Sequence, residues 1–276
     1  MTSRALVLAG GGVTGIAWEL GIAKGLYDEG IDLAGADLIV GTSAGSTVGA
    51  QLRRGMSIDD LYAAQLSDDS KELTAELDLA KFVQMRKLDA PDPAARRALI
   101  GDIALSAATI PEGERRQIIA ARLPVHEWPD RRLLITAVDT ATGEFVVFDR
   151  DSGVSLVDAV AASCAVPAVW PPVTIGGRRY MDGGTRSSTN ADLAVGCDVV
   201  LIVTPFPLEQ MLSGNFEDER AALEPESRIV TIVADDASRE ATGMNPLDAT
   251  RRHPAATAGR AQGLVVAASI AAAWSA

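Results

Sequence analysis

Histidine and cysteine are scarce in this chain of 276 residues, which contains two of each. Cys164 and Cys197 are too few for a disulfide framework, and their apolar neighbours predict buried free thiols. Neither the cysteines nor His126 and His253 have the spacing of metal ligands, so we expect no metal site. The low histidine count also leaves few candidates for a catalytic histidine.

Basic residues are fewer than acidic residues. The chain has 25 lysines and arginines and 37 aspartates and glutamates, which gives a net charge of −12. That charge argues against binding nucleic acid and against electrostatic docking on anionic lipid. Long apolar runs are missing too, since the run at 264–274 is too short to cross a bilayer. The first predicted strand starts at residue 4, which leaves no room for a signal peptide, so we expect a cytoplasmic protein.

Hydrophobic residues are plentiful, at 47% of the chain, and they can build a substantial core. With this length we expect a single α/β domain over residues 1–276. Short apolar runs at 133–138, 144–148, 199–204 and 228–234 predict strands. Several helices are predicted between about 56 and 123, and this helical insert is either a lid or acyl-chain wall or simply part of the core.

The most informative motif is Gly-x-Ser-x-Gly, formed by Gly41, Ser43 and Gly45 between a β-branched run and a helical pattern. This is the context of a nucleophile elbow, in which serine occupies a strained strand-to-helix turn flanked by glycines. The hydroxyl would project from the carboxyl end of a sheet, beside helical N–H groups that favour developing negative charge. A plain turn is the alternative for so loose a pattern.

A second glycine turn lies upstream, between a predicted buried strand at 4–9 and a helix. Gly10, Gly12 and Gly15 match the G-x-G-x-x-G pattern of dinucleotide-binding proteins. A nicotinamide-dependent oxidoreductase that uses this motif is therefore an alternative function.

The second predicted strand, at 37–40, separates the two functions. Dinucleotide-binding proteins carry an acidic residue about 20 residues after the glycines, where it holds the ribose. Asp37 lies at the wrong end of this strand, and Gly41 and Thr42 occupy the expected position. The strand leads instead into the serine motif, which favours a hydrolase.

Both glycine turns follow strands that we expect to be parallel, so both open at the same sheet edge. The N–H groups of Gly11 and Gly12 would then face the oxygen of Ser43. Together with the N–H of Ala44 they predict an oxyanion hole. Glycine suits these positions because a Cβ atom would block the approach of a substrate carbonyl.

A third glycine motif, Asp182-Gly183-Gly184, follows a predicted strand or hairpin at 176–181. The two glycines permit a tight turn that would aim the short carboxylate. A structural Asp-Gly turn is the commoner meaning of such a dipeptide.

The three motifs GGGVTG, GTSAG and DGG stand in the order typical of the patatin-like phospholipases, a family of serine acyl hydrolases. The chain resembles this family over 4–55 and 157–205, including the segment 161–172 ahead of the aspartate. The resemblance implies a three-layer α/β/α sandwich with a mostly parallel central sheet. It also implies Ser43 as nucleophile, Asp182 as its base and Gly10 to Gly12 as the oxyanion loop.

The same resemblance implies a carboxylic ester of a lipid as substrate, such as a phospholipid or lysophospholipid, and no cofactor. Transient contact with a membrane surface is part of that expectation. The chain departs from the family at Thr14, where the glycine loop often carries arginine. This departure bears on a loop cation but not on the backbone donors. A binding protein that lost catalysis is a further alternative, although all three motifs are intact.

Histidine scarcity favours a Ser-Asp dyad over a triad. A Ser…Asp…His order leaves only His253, which lies in a basic loop, as the third member. A carboxylate is a weak base for a serine hydroxyl, so the dyad requires an Asp182 pKa raised by desolvation. The apolar segment 166–170 is the expected source of dry surroundings.

Overall fold

The computed structural model describes residues 2–53, 56–67, 72–207 and 216–274, with only the backbone at Leu79 and Arg86. In these residues one eight-stranded sheet lies between helices. Its strands are β1 (Arg4–Leu8), β2 (Leu38–Gly41), β3 (Arg132–Asp139), β4 (Phe145–Phe148), β5 (Val173–Ile175), β6 (Arg178–Asp182), β7 (Val199–Thr204) and β8 (Arg228–Val233). The helices are α1 (Gly12–Asp28), α2 (Ala44–Arg53), α3 (Ile58–Leu66), α4 (Leu79–Arg86), α5 (Pro93–Ser106), α6 (Glu112–Arg122), α7 (Leu156–Ser163), α8 (Phe216–Leu223), α9 (Asp236–Thr242) and α10 (Arg252–Trp274).

The sheet is mostly parallel. Its strand order is β5-β6-β3-β2-β1-β7-β8, with β4 paired to β3. In this order, neighbouring strands pair parallel from β3 through β2, β1 and β7 to β8. The pairs β3–β4, β3–β6 and β5–β6 are antiparallel. Leu8 is the register partner of Gly41. The two glycine turns therefore leave the sheet at the same edge, as predicted.

Alternating residues of the strands supply two hydrophobic faces, as expected for a sheet that is covered on both sides. Leu6 and Leu8 pack toward α1, α2, α7 and α10. Ala5 and Val7 point the other way, toward α8 and the short 3-10 helix Ala191–Ala194. The predicted three-layer α/β/α arrangement is confirmed, with a thinner layer on the second face.

Helices α1 and α10 approach each other closely because glycines line their contact. A Cβ atom at Gly21 would lie 2.3 Å from the carbonyl oxygen of Ala256, and one at Gly259 would lie 2.3 Å from that of Trp18. Such distances are far below normal contact. The long C-terminal helix thus holds α1, and with it the glycine turn that begins α1.

Helices α3 to α6 occupy the predicted insert between α2 and β3, and local capping explains where several of them begin. The Ser57 hydroxyl accepts from the Asp60 N–H at 3.1 Å, and Pro93 and Pro111 stand at the starts of α5 and α6. Leu61 joins the main core, whereas Phe82, Met85 and Ile100 form a smaller apolar cluster with Val138 and Met181.

One helix boundary differs from the sequence-based prediction, and another predicted boundary lies outside the described residues. The sequence pattern predicts a helix over 154–163, but α7 begins at Leu156, because Ser155 caps it by accepting from the Asp158 N–H at 3.1 Å. The pattern also predicts that the helix after Ser43 ends near Gly55, which lies outside the described residues; they follow α2 to Arg53. Among the helices described, none has the length and apolar character needed to cross a membrane.

Candidate active site

Ser43 sits on the turn between β2 and α2 with a φ of 53°, in the left-handed region that L-residues rarely adopt. The turn is tight because glycine stands on both sides. A Cβ atom at Gly45 would lie 2.1 Å from the Leu8 carbonyl oxygen, and one at Gly41 would lie 2.6 Å from the Gly45 carbonyl oxygen. The strained serine and its two glycines are the geometry expected of a nucleophile elbow.

Contacts from α7 hold the backbone of this elbow. The Ser43 N–H donates to the hydroxyl of Ser163 at 2.9 Å, and the Ser43 carbonyl accepts from Ser46 Oγ at 2.7 Å and Cys164 Sγ at 3.3 Å. Cys164 and Cys197 are buried free thiols, as predicted. Ser163 lies within the segment that resembles the family, but its spacing alone does not mark it as a support for the elbow.

Asp182 ends β6 and is 5% exposed, with its carboxylate beside Ser43. Its Oδ1 accepts from the Gly184 N–H at 2.7 Å, and the Ser43 hydroxyl donates to the same carboxylate. The main-chain N–H of Asp182 donates to the Ala165 carbonyl at 3.0 Å. The Asp-Gly-Gly motif is thus a turn, and that turn aims the carboxylate at the serine.

Burial raises the pKa of Asp182 to about 7, although the hydrogen bonds from Ser43 and Gly184 act in the opposite direction. A carboxylate with this pKa is a far better proton acceptor at neutral pH than an exposed aspartate. The structure therefore provides the raised basicity that a dyad requires. Val166 and Pro167 of the apolar segment 166–170 line the same cavity as Asp182.

One backbone N–H group of the predicted oxyanion loop is already engaged. The Gly10 N–H donates to the Ser188 carbonyl at 2.8 Å, so it is already engaged. Gly12 and Ala44 are the first residues of α1 and α2, and their N–H groups have no carbonyl one turn earlier in the helix. Among the described residues, no acceptor engages these two groups or the Gly11 N–H.

The reason for glycine in this loop also differs from the expectation. A Cβ atom at Gly11 would lie 2.4 Å from Pro205 Cγ, and one at Gly12 would lie 2.5 Å from the Pro246 carbonyl oxygen. These collisions are with the protein rather than with an approaching substrate. A Cβ atom at Gly10, in contrast, would make ordinary contact with Ser43 Cβ at 3.5 Å.

A buried polar network joins the elbow to the Asp-Gly-Gly turn, and sequence patterns did not indicate it. The hydroxyls of Thr42 and Thr136 lie 2.9 Å apart. The Asn190 side-chain amide donates to Thr42 Oγ1 at 3.0 Å and to the Ser187 carbonyl at 2.7 Å. Asn190 has a φ of 50°, so its backbone is left-handed as well. Because these partners are far apart in the chain, only the fold brings them together.

A cavity of about 860 Å³ opens from Ser43 and Asp182. Helices α4 and α5 form part of its wall, so side chains of the insert serve both the core and the cavity. The apolar part of the lining comes from Leu77, Phe82, Met85, Ile100, Val166, Met244 and Leu247, and the basic part from Arg96, Arg97, Arg186 and Arg239.

The acidic residue considered for dinucleotide binding and the two histidines considered for a triad lie away from this site. The Asp37 carboxylate accepts from the Arg4 N–H at 2.8 Å, at the edge of the sheet opposite the glycine turns. His126 and His253 are exposed, and His126 Nε2 lies 3.0 Å from the Ala120 carbonyl oxygen. Within the described chain, no cluster of His, Cys, Asp and Glu side chains has the makings of a metal site.

The sequence matches the family model described as Patatin-like phospholipase over residues 6–195, which contain all three glycine motifs. The chain belongs to the patatin-like phospholipase family. Two curated relatives from Mycobacterium bovis and Mycobacterium tuberculosis are uncharacterized NTE family proteins. Each is 26% identical over 194 residues, which are 69% of this chain and 28% of the relative. The patatin-like chain thus spans little more than a quarter of the length of those proteins.

Solved structures give more distant likenesses. VipD from Legionella pneumophila superposes with a TM-score of 0.45 at 14% identity, over 97% of this chain and 67% of VipD. The type III effector ExoU, known from Pseudomonas aeruginosa, gives a TM-score of 0.41 at 18% identity, over 96% of this chain and 53% of ExoU.

Proposed function

We propose that this patatin-like chain hydrolyses carboxylic esters of lipids, with Ser43 as nucleophile and Asp182 as general base. The observation that carries the proposal is the position of the Ser43 hydroxyl beside a buried carboxylate whose pKa is about 7. Such a pair can ionise the serine at the moment of attack without a histidine. The family match supports hydrolysis of lipids in general.

The first half of the reaction forms an acyl-enzyme. Ser43 Oγ attacks the ester carbonyl carbon, its proton passes to the Asp182 carboxylate, and the carbonyl electron pair becomes an oxyanion. The free N–H groups of Gly12 and Ala44 are the proposed donors to that oxygen, together with Gly11. When the electron pair returns, the bond to the alcohol breaks, and the alcohol oxygen takes the proton from Asp182.

The second half repeats these steps with water. Water attacks the acyl carbon and passes a proton to Asp182. The bond to Ser43 Oγ then breaks, the serine regains the proton, and the fatty acid leaves. Asp182 thus acts first as base and then as acid in each half, which a pKa near neutrality permits.

A phospholipid or lysophospholipid is the substrate that we propose, because the cavity beside Ser43 combines two kinds of wall. Its apolar side chains suit an acyl chain. Its arginines suit an anionic group such as a phosphate, even though the chain as a whole is acidic. The cavity of about 860 Å³ is within the range of pockets that bind small lipidic ligands.

Covalent labelling tests the nucleophile. We expect a fluorophosphonate probe to add one adduct mass to the protein, located at Ser43 by peptide mapping. Ser43→Ala should take up no probe and should lose hydrolysis of p-nitrophenyl esters while keeping its circular dichroism spectrum. Full ester hydrolysis by folded Ser43→Ala would refute the assignment.

Absence of labelling in the wild type would separate the alternatives. Saturable NAD binding without an adduct would favour the oxidoreductase, and saturable lysophospholipid binding without an adduct would favour a binding protein that lost catalysis.

A further inference from the structure

Arg115 is a buried cation for which the catalytic scheme has no role so far. It lies in the second turn of α6 and is 5% exposed. Its Nε and Nη1 atoms have no hydrogen-bond partner among the described residues. The guanidinium carbon stacks 3.8 Å from the centre of the Trp170 ring. A buried charge that lacks a hydrogen-bonded carboxylate among the described residues is costly, and an anion that forms during the reaction would offset part of that cost.

Arg115 and the proposed nucleophile Ser43 line one cavity. Gly12, Ala44 and Arg122 also line this second, small cavity. This cavity has a volume of about 20 Å³, which is room for about one water-sized group. A single oxygen atom fits this space. Ser43 borders both this chamber and the large cavity.

Among the described residues, the Glu72 carboxylate attracts the Arg115 guanidinium, but it is hydrogen-bonded to another arginine. Arg122, two turns further along α6, forms a bidentate ion pair with Glu72 at 2.7 and 2.6 Å. Glu72 is thereby engaged by Arg122. Burial, followed by repulsion from Arg122, lowers the pKa of Arg115 to about 9, so its guanidinium still carries its charge at neutral pH.

Both ends of α6 are anchored, so Arg115 is held in place. Glu112 accepts from the Thr174 N–H at 2.6 Å and from the Thr174 hydroxyl at 2.9 Å, which ties the start of α6 to β5. The Gln51 side-chain amide donates to the Arg122 carbonyl at 2.7 Å, which ties the end of α6 to the elbow helix α2. A donor that is preorganised in this way needs little rearrangement during reaction.

We propose that Arg115 stabilises the oxyanion that forms when Ser43 attacks the ester carbonyl. The inference rests on the proposed function. In the glycine loop, Thr14 is uncharged, and its hydroxyl lies 3.4 Å from the Pro246 carbonyl oxygen. The insert thus supplies from α6 the positive charge that this loop lacks.

Kinetics of matched variants test this role. Arg115→Met keeps an unbranched stem against Trp170 but removes the charge. We expect kcat for a p-nitrophenyl ester to fall about 100-fold, as for loss of an oxyanion donor, with KM changed only a few-fold. Arg115→Lys should recover part of the loss. The control is Arg116→Met, because Arg116 is the next residue of α6 and is half-exposed in an ion pair with Asp158.

The affinity for a trifluoromethyl ketone separates oxyanion stabilisation from a purely structural role, because the ketone adds to serine as an anionic hemiketal. This affinity should fall in Arg115→Met by the same factor as kcat. The melting temperature should not fall, because the variant removes a buried charge that no described carboxylate hydrogen-bonds. Equal kcat and ketone affinity in Arg115→Met and Arg116→Met would overturn the proposal. So would unfolding of Arg115→Met, or a loss of kcat in Arg115→Lys and Arg115→Met without loss of ketone affinity.

The same experiment separates this proposal from the broader one. Wild-type protein that forms the ketone adduct at Ser43, with an Arg115→Met variant that forms it equally well, would leave the hydrolase intact and remove only Arg115. Wild-type protein that forms no adduct at Ser43 would overturn both proposals.

Discussion

At the scale of single residues, the surroundings of Asp182 decide what its carboxylate can do. The chain has many acidic residues, and most of those with a resolved shift have a lowered pKa because they are paired with a cation or accept backbone N–H groups. Asp139, for example, accepts from the Ala141 and Thr142 N–H groups and pairs with Arg178, and its pKa is lowered. Among the described residues no cation contacts Asp182, and burial raises its pKa. Burial also raises the pKa of Glu19 and Glu219, so the candidate base is distinguished by a raised pKa together with a place in the cavity that Ser43 lines.

The pH dependence of hydrolysis follows from that pKa. Asp182 accepts a proton only when ionised, so kcat/KM should rise with pH through a midpoint near 7 and then level off. Asp182→Asn keeps the shape but removes the base, and it should lose about three orders of magnitude in kcat at pH 8, comparable to the loss of a triad member. Steady-state assays between pH 5 and 9 check both expectations.

The control for the dyad is the double variant His126→Gln with His253→Gln. Both histidines are exposed, so hydrolysis by this variant should stay within a few-fold of wild type. A dead double variant beside a mildly impaired Asp182→Asn would transfer the role of base to a histidine.

The same pKa has a consequence for stability. Because the folded-state pKa of Asp182 is raised from 3.8 to about 7, ionising it costs folding free energy that appears as pH rises from about 4 to 7. At about 1.4 kcal/mol per pKa unit, the full cost above pH 7 is about 4 kcal/mol. Asp182→Asn should therefore unfold at a higher temperature than wild type at pH 8, with a smaller gain at pH 5. Thermal unfolding at the two pH values measures the difference, and an equal or lower melting temperature at pH 8 would contradict it.

At the scale of elements, the two helix N-termini and their supports place the candidate donors. Helix α2 starts at Ala44 because the elbow turn ends there, and α1 starts at Gly12 because the glycine loop ends there. The position of α1 depends in turn on α10, whose backbone touches it at glycines. The contact between α1 and α10 therefore bears on the site as well as on stability.

Gly259→Ala tests this contact. The added methyl group would meet the Trp18 carbonyl oxygen at 2.3 Å, so the helices must separate, and we expect a loss of about 1–3 kcal/mol in the free energy of unfolding. The matched control is Gly113→Ala in α6, because a Cβ atom at Gly113 would meet no other group within 4 Å. Alanine there should leave stability unchanged or raise it by up to about 1 kcal/mol. Chemical denaturation measures both, and equal stability of the two variants would refute the tight-contact explanation.

At the scale of the whole molecule, an acidic chain has a cavity whose lining includes four arginines beside Asp182 and Glu240. The net charge is −12, yet arginines contribute to the wall of the large cavity beside its apolar side chains. Arg186 forms an ion pair with Asp192, and its guanidinium also stacks on the ring of Phe145. The combination suits a ligand with a long apolar part and an anionic part.

Ligand-induced stabilisation tests this expectation without turnover. In Ser43→Ala, a lysophospholipid below its critical micelle concentration should raise the melting temperature, because a ligand that binds only the folded state stabilises it by about 2.7 kcal/mol at 100 times its Kd. Octyl glucoside, which has an apolar tail but no charge, should raise it less, and NAD should leave it unchanged. A shift with NAD and none with the lysophospholipid would point to the oxidoreductase instead.

The sequence by itself determined the local features of this protein. Strand–glycine–helix units were predictable because the constraints act between neighbouring residues, as in the left-handed Ser43 between Gly41 and Gly45. The parallel sheet and the shared edge of both glycine turns followed from the same units. The patatin-like resemblance rests on these motifs, and the family match confirms it.

Only the tertiary structure decided the features that depend on residues distant in the chain. The Gly10 N–H is engaged by Ser188, and Ser163 and Asn190 support the elbow from far along the chain. Arg115 stands beside Ser43 only because α6 packs there. Burial and charge compensation are sums over all neighbours in space, so neither the raised pKa of Asp182 nor the unpartnered guanidinium is written in any local pattern.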